Sequence, residues 1–236
     1  MKDLHNHILP GLDDGCKNEE ESLKVLNDLI NSGINEVVFT PHYVSGTKYV
    51  ADNKKKKDTF LRIKKIIEKN KLPIKVYLGN EILFCDNILE LLEKGEILPI
   101  NNSKNLLIEF PMMNLPHNAK NVFDELINSG YNIILAHPER YYFVGEDINV
   151  LNDFVSMGVH LQGNYTSLFG KYGRTSKKIL KKLLKRGMID ILASDTHHEV
   201  IGSEVALRKK LKWYLKEEDI NQLLFENFDL IINNKK

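Results

Sequence analysis

Only two cysteines occur in the 236 residues, and neither Cys16 nor Cys85 belongs to a Cys-x-x-Cys pair. Two thiols cannot build a disulfide framework, which makes a reducing cytoplasm the simplest home for the chain. Neither is followed by an arginine at the spacing of a cysteine-based phosphatase loop, so that chemistry is excluded too. Long hydrophobic runs are also missing. The opening, MKDLHNHILPGLDDG, holds no apolar stretch fit for a signal peptide, and no later run approaches a membrane span, so stable membrane insertion is not expected. Nor does one charge prevail. Lys plus Arg number 33 against 32 Asp plus Glu, and a net charge of +1 gives no reason to expect nucleic acid as a partner. No Pro-, Gly- or Ser-rich linker divides the chain, and residues 54–57, four lysines, are its only low-complexity piece. One domain spanning 1–236 is expected.

What the chain does have is alternation. Short aliphatic runs, ending near 3–5, 37–40, 76–79, 106–110, 133–136, 159–162 and 189–193, are separated by amphipathic stretches. Leu23, Leu26 and Ile30 share one helical face, as do Phe60, Ile63 and Ile67. Asn18 and Glu21 read as a capping pair opening the first helix. Gly33, Gly130, Gly158 and Gly187 each fall between a helix and a strand, where a left-handed residue is wanted. Strand, helix, glycine, strand, repeated about seven times, predicts an α/β fold of parallel βαβ units, wound into a barrel or an open sheet.

The informative feature is where histidines and carboxylates fall. His5 and His7 follow the first run, with Asp13 and Asp14 in the next loop; His42 follows the second run, Glu81 the third, Glu109 the fourth, His137 the fifth, and Asp195 and His197 the seventh. In a parallel barrel those strand ends open on one face, the face that carries catalytic residues. Imidazoles and carboxylates together are a ligand set for Zn, Mn or Fe. In His5-x-His7 and Asp195-x-His197, side chains two apart on an extended run point the same way and can grip one ion. A lone His-x-His carries little weight; convergence of this many donors carries more. His117, His160 and His198 have no such signal and read as surface or packing residues. The helix at 177–186 (KKILKKLLKR) is basic on one side and apolar on the other, the pattern of a solvated outer helix face or, less readily, of a surface that docks an acidic tail or membrane.

As an ordered set, His5-x-His7, Asp13-Asp14-Gly15, Thr40-Pro41-His42, Gly79-x-Glu81, Glu109, His137-Pro138-Glu139-Arg140 and Ser194-Asp195-x-His197 resemble the PHP (polymerase and histidinol phosphatase) superfamily. The opening is similar to its capsule-biosynthesis branch, the bacterial metal-dependent protein-tyrosine phosphatases of the CpsB/YwqE type. The resemblance implies a distorted seven-stranded β/α (TIM-like) barrel holding three divalent metals, manganese foremost and iron or zinc otherwise. Carried over by motif, His5, His7, Glu81 and Asp195 hold one ion. Glu81, Glu109 and His137 hold a second. Asp14, His42 and His197 hold a third, which leaves Asp13 to support the turn. Arg140 matches a phosphate-contacting arginine. The second arginine that the family often places after its last metal motif is missing, and Arg174 or Arg208 is its candidate replacement.

The implied function is dephosphorylation of a phosphotyrosine protein, such as the tail of a membrane-associated bacterial tyrosine kinase. The expected attacker is a hydroxide held by the metals, so no nucleophilic side chain is required. Three divalent ions against four carboxylates leave a formal charge of about +2, which suits a phosphate dianion. A histidinol-phosphatase-type enzyme and a metal-stabilised module without turnover are the competing expectations. Asn164 is a candidate either for the pocket or for a polar place in the core, and Tyr141, Tyr142 and Phe143 are candidates either for an aromatic wall or for the core.

Overall fold

A computed structural model describes residues 1–233; the expected domain end at 236 lies outside the described residues. The strands are β1 (Lys2–Asp3), β2 (Glu36–Phe39), β3 (His42–Tyr43), β4 (Lys75–Leu78), β5 (Glu81–Leu83), β6 (Asn105–Glu109), β7 (Asn132–Ala136), β8 (His160–Asn164) and β9 (Ile191–Ala193). All pair in parallel, in a three-stranded sheet β1-β2-β4 and a six-stranded sheet β3-β5-β6-β7-β8-β9. Among the described residues nine strands stand where seven runs were expected, because two runs are each broken in two. Pro41 cannot donate to a ladder and splits β2 from β3. Gly79 splits β4 from β5 where the backbone of Ile100 comes so close that an added Cβ would lie 3.1 Å from its Cα. The strands of the two sheets do not form one closed ladder. Loop backbone joins their outer edges: Asn6 bridges Thr196, and His7 N donates to Thr196 O at 2.8 Å.

The apolar runs read as continuous rather than alternating because both faces of the sheets are covered. Leu106, Ile108, Ile133 and Leu135 pack outward among residues from the helices, such as Leu126 and Leu183. Leu107, Ile134, Ala136, Ile191 and Leu4 face the other way, into an inner cluster closed by Phe228, Ile231 and Ile232 of the C-terminal helix. The helices are α1 (Glu19–Asn31), α2 (Asn53–Lys69), α3 (Ile88–Glu93), α4 (Ala119–Asn128), α5 (Tyr142–Glu146), α6 (Leu151–Ser156), α7 (Thr166–Phe169), α8 (Gly173–Lys185), α9 (Glu204–Leu211), α10 (Glu217–Asn221) and α11 (Asn227–Asn233). The four helix-ending glycines all adopt positive φ. The cap of α1 is half as expected: Asn18 Oδ1 accepts from Glu21 N, but the Glu21 carboxylate returns to Lys17 N rather than to Asn18. Among the described residues, no helix is long and apolar enough to cross a membrane.

Buried polar bonds fix the first run against the last. Asp3 is fully buried and accepts from both the N–H and the hydroxyl of Ser194, at 2.8 and 2.6 Å. Lys56, inside the lysine run, is buried as well. Its ammonium donates to Asn80 Oδ1 at 2.8 Å, and Asn80 in turn donates to Pro41 O, so one cation ties the β2–β3 and β4–β5 breaks together.

Candidate metal centre

Parallel register places the donors side by side. His42 of β3 is the direct partner of Glu81 of β5, and Leu83, two residues on, is the partner of Glu109 of β6. His137 follows β7 immediately, while Asp195 and His197 lie just past β9, beside the segment that carries His5 and His7. His137 and Asp195 both adopt left-handed backbone, with φ of 34° and 52°. That conformation costs a non-glycine residue about 1–3 kcal/mol and collects at functional sites. Here it turns each side chain back over the strand ends.

The nine donors named from the sequence lie in one cluster, and within it three sets could each hold an ion: His5, His7 and Glu81; His42, Glu81 and Glu109; and His7, Asp14, His42 and His197. In the first, Glu81 Oε2 lies 3.1 Å from His5 Nε2 and 3.2 Å from His7 Nε2, and Asp195 Oδ1 lies 3.7 and 3.6 Å from the same nitrogens. In the second, His42 Nδ1 is 3.3 Å from Glu109 Oε1; His137, expected there, belongs to none of the three sets but lies beside this one, its Nε2 3.0 Å from Glu81 Oε1 and 3.5 Å from Glu109 Oε2. In the third, Asp14 Oδ1 is 3.6 Å from His42 Nε2 and 3.5 Å from His197 Nε2. Glu81 thus belongs to two of the three sets.

Do these residues fit divalent ions? Glu81 Oε2 and His42 Nδ1 are buried and 3.0 Å apart, yet neither has a hydrogen-bond partner among the described residues. They point into shared space rather than at each other. Donors around one ion, each at about 2.1 Å, lie roughly 3–3.4 Å from one another; here they lie 3.0 to 3.7 Å apart, a few tenths of an ångström wider at most. The fit holds.

The electrostatics are those of a cation site. Burial opposes charge on His42, but Glu81 and Glu109 outweigh it and push its pKa up to about 12. Burial and Arg140 oppose charge on His137; Glu109 and Glu81 still lift it to about 9. His5 and His7 are raised against burial by Glu81 and Asp195 and by Asp13 and Glu81, respectively. Glu81, despite burial, is held well below the carboxylate range by His5 and His42.

These shifts carry a stability prediction. Imidazoles whose pKa is raised by the fold stabilise it fully below their ordinary value of 6.5, and that contribution drains away as pH rises through the folded values. Lys56, lowered by burial to about 7, works the other way, as do Lys171 and His197, which burial also lowers; against them stand the raised imidazoles of His5, His7, His42, His137 and His160. Chelator-treated protein should therefore melt at progressively lower temperature between pH 6.5 and 9, the window set by His137. A melting temperature that held or rose across that window would refute this account.

Further residues complete the site. Asp13 accepts from His7 Nδ1 at 2.7 Å and from His42 N at 2.9 Å, which supports the turn and leaves His7 Nε2 facing the donor group. Gln162 Oε1 does the same for His5, 2.9 Å from its Nδ1. Asn164 Nδ2, the Tyr172 hydroxyl and Arg140 Nη1 all donate to Asp195 Oδ2, at 2.7, 2.8 and 2.7 Å, so Oδ1 is the oxygen left for the cluster. Sequence reasoning passed over Gln162 and Tyr172. Gln162 was visible as a polar residue inside an apolar strand. Partners that orient metal-binding histidines typically contribute 10- to 100-fold in metal affinity, so Gln162→Leu should weaken metal binding by about that factor, read by competition with a metal indicator. Affinity equal to wild type would remove Gln162 from the site.

The donors open on a cavity of about 580 Å³ whose lining also includes Met112, Arg140, Lys171, Tyr172, His198 and Glu199. Arg140 stacks 4.2 Å from the centre of the Tyr172 ring, whereas its neighbour Glu139 turns inward to Ser167 and to Asn164 N. Of the two arginines expected to replace the missing second one, Arg208 is held by Glu204, Glu217 and Asn221. Neither it nor Arg174 lines this cavity. Lys171 is the second cation there, anchored to Asp195 O at 3.0 Å; the search for an arginine missed it, although Gly170 and Gly173 mark its loop. His198, expected to be a surface or packing residue, lines the cavity, where Glu21 holds its Nδ1 at 2.7 Å. His160 pairs with Asp190 and His117 is exposed, as expected. Tyr141 proves to be core: its hydroxyl donates to Ala136 O and accepts from Phe110 N. Phe143 stacks on it, and Tyr142 is exposed.

Parallel strands ending in a buried cluster of imidazoles and carboxylates, under a cavity with fixed cations, define an α/β protein with a candidate polynuclear metal centre. The chain belongs to the capsular polysaccharide synthesis family CpsB/CapC, whose model matches residues 1–233. It is 32% identical to a putative tyrosine-protein phosphatase, CapC, of Staphylococcus aureus, over 100% of this chain and 92% of that one. It is 29% identical to the tyrosine-protein phosphatase YwqE of Bacillus subtilis, over 100% and 92% of the two chains. The fold also matches a crystal structure from work on YwqE and on CpsB of Streptococcus pneumoniae, described as unique metal-dependent tyrosine phosphatases. The TM-score is 0.93 and the identity 29%, covering 100% of this chain and 96% of the other.

Proposed function

We propose that this chain is a metal-dependent protein-tyrosine phosphatase of capsule or exopolysaccharide synthesis, with its active site at the His/carboxylate cluster. The observation that carries the reading is the sharing of Glu81 between two donor groups directly beneath a cavity that also presents Arg140. In this reading the first ion is held by His5, His7, Glu81 and Asp195, the second by Glu81, Glu109 and His137, and the third by Asp14, His42 and His197. Manganese is the foremost candidate for all three. The bound metals would supply Lewis-acid charge and lower the pKa of a water. The chain's own part is to receive the phosphate. Arg140 offers a planar fork to two of its oxygens, and Lys171 adds a point charge on the same side. The strand runs and the loop backbone between them are read as a distorted seven-run barrel, and residues 1–236 as one domain. The substrate is taken to be a phosphotyrosine protein such as the tail of a membrane-associated tyrosine kinase, met in the cytoplasm, where the free thiols of Cys16 and Cys85 stay reduced.

The test compares hydrolysis rates on a phosphotyrosine peptide and on histidinol phosphate, using manganese-loaded protein with and without chelator. Chelator-sensitive turnover that favours the peptide is expected, and His137→Ala should lose both metal and activity. Preference for histidinol phosphate would reassign the substrate; no turnover on either would leave a binding module.

A further inference from the structure

We propose that α8 and the segment following α9 form a docking surface for an anionic lipid bilayer, with Trp213 entering the headgroup layer. The near-neutral net charge conceals a one-sided stretch. Between Asp153 and Asp190 there is no Asp or Glu, but Lys171, Arg174, Lys177, Lys178, Lys181, Lys182, Lys185 and Arg186 all fall there. Ordinary solvated helix faces mix both signs, and this one does not.

The helix itself is fixed in place. Leu180, Leu183 and Leu184 are buried in the core, so Lys178, Lys182 and Lys185 on the opposite side are exposed, while Lys177 and Lys181 flank the buried face and are half-buried. None of the lysines of α8 forms an ion pair among the described residues; Lys181 and Lys185 instead lie over the ring of Tyr214, each 5.4 Å from its centre. Beside them stands the only tryptophan of the chain, Trp213, 84% exposed. Together Lys177, Lys181, Lys210, Trp213 and Tyr214 line a hollow of about 210 Å³.

Three ammonium groups around a hollow match the phosphodiester of an anionic lipid, and lysine stems can lie along the surface with their heads at the phosphates. An exposed indole with an adjacent phenol belongs to the interfacial layer, where one end of each ring is apolar and the other wet. The tryptophan is what favours a bilayer over an acidic polypeptide, since charge pairing alone would not require a bare indole. α8 begins at Gly173, the residue after Tyr172 at the cavity, so docking along its first turns keeps the cavity close to the membrane surface.

The experiment uses the full chain and its single tryptophan as reporter. Vesicles of phosphatidylcholine alone, and of phosphatidylcholine with about one third phosphatidylglycerol, are titrated while emission is recorded and co-sedimentation measured. A blue shift and co-sedimentation are expected with the anionic vesicles only, weakened at high salt, where the Debye length shrinks to about 3 Å. Lys177→Glu with Lys181→Glu should reduce partitioning at least tenfold while hydrolysis of a soluble aryl phosphate is unchanged. No partitioning of the wild type, equal partitioning onto neutral vesicles, or undiminished partitioning of the double variant would each overturn the proposal. So would a blue shift produced by poly-glutamate but not by anionic vesicles, which would make the surface a protein-docking site.

Discussion

Replacing Glu81 by glutamine is expected to lower turnover of an aryl phosphate by more than about 100-fold, beyond the usual loss from an orienting partner, and to leave the protein short of metal. Both oxygens of this one side chain are in use. Oε2 faces His5, His7 and His42, and Oε1 faces His137. Glutamine has nearly the same size, so the buried space stays filled. It replaces one oxygen by an NH2, however, which offers protons where a cation needs a lone pair. It also removes the charge that does most to lift the pKa of His42 against burial. Two of the three donor groups are damaged by a single change, whereas Asp14→Asn would touch only the third. Metal content measured by mass spectrometry alongside steady-state kinetics checks this. Full metal content, or activity within about tenfold of wild type, would mean that Glu81 does not bridge.

The meeting of the donors was legible in the sequence because parallel strands turn linear order into a shared edge. Once residues 106–110 and 133–136 are read as neighbouring strands, Glu109 and His137 must lie near each other, and register does the rest. The breaks at Pro41 and Gly79 were less legible. Thr40-Pro41-His42 reads as a strand end, and nothing local says that the chain resumes pairing in the other sheet two residues later. Lys56 was hidden for a different reason. In a run of four consecutive lysines within a helix, which one turns inward depends on what lies beneath, and here that is Asn80 from a distant strand break. Lys171 was missed because a long-range contact, with Asp195 O, decides its position. Propensity and periodicity describe a chain's own surface; they are silent about partners supplied by folding.

Arg140→Lys should reduce kcat/KM for a phosphotyrosine peptide by about 10²- to 10³-fold, the usual cost of losing one aimed donor to a developing oxyanion, with metal content unchanged. Charge alone is preserved in this variant. What is lost is a planar fork able to meet two phosphate oxygens at once, and the stacking on Tyr172 that holds the fork in place. Arg140 Nη1 also donates to Asp195 Oδ2, but the Tyr172 hydroxyl and Asn164 Nδ2 hold that oxygen too. The donor oxygen Oδ1 therefore keeps its position when the guanidinium goes, and metal retention separates loss of substrate contact from collapse of the centre. Lys171→Met should cost less, about tenfold, because a single ammonium on a flexible stem makes one bond where Arg140 makes two. If Arg140→Lys kept wild-type kcat/KM, the arginine would be no more than a brace for Asp195. If it lost its metal, the contacts with Tyr172 and Asn164 would not be enough to hold the ligand.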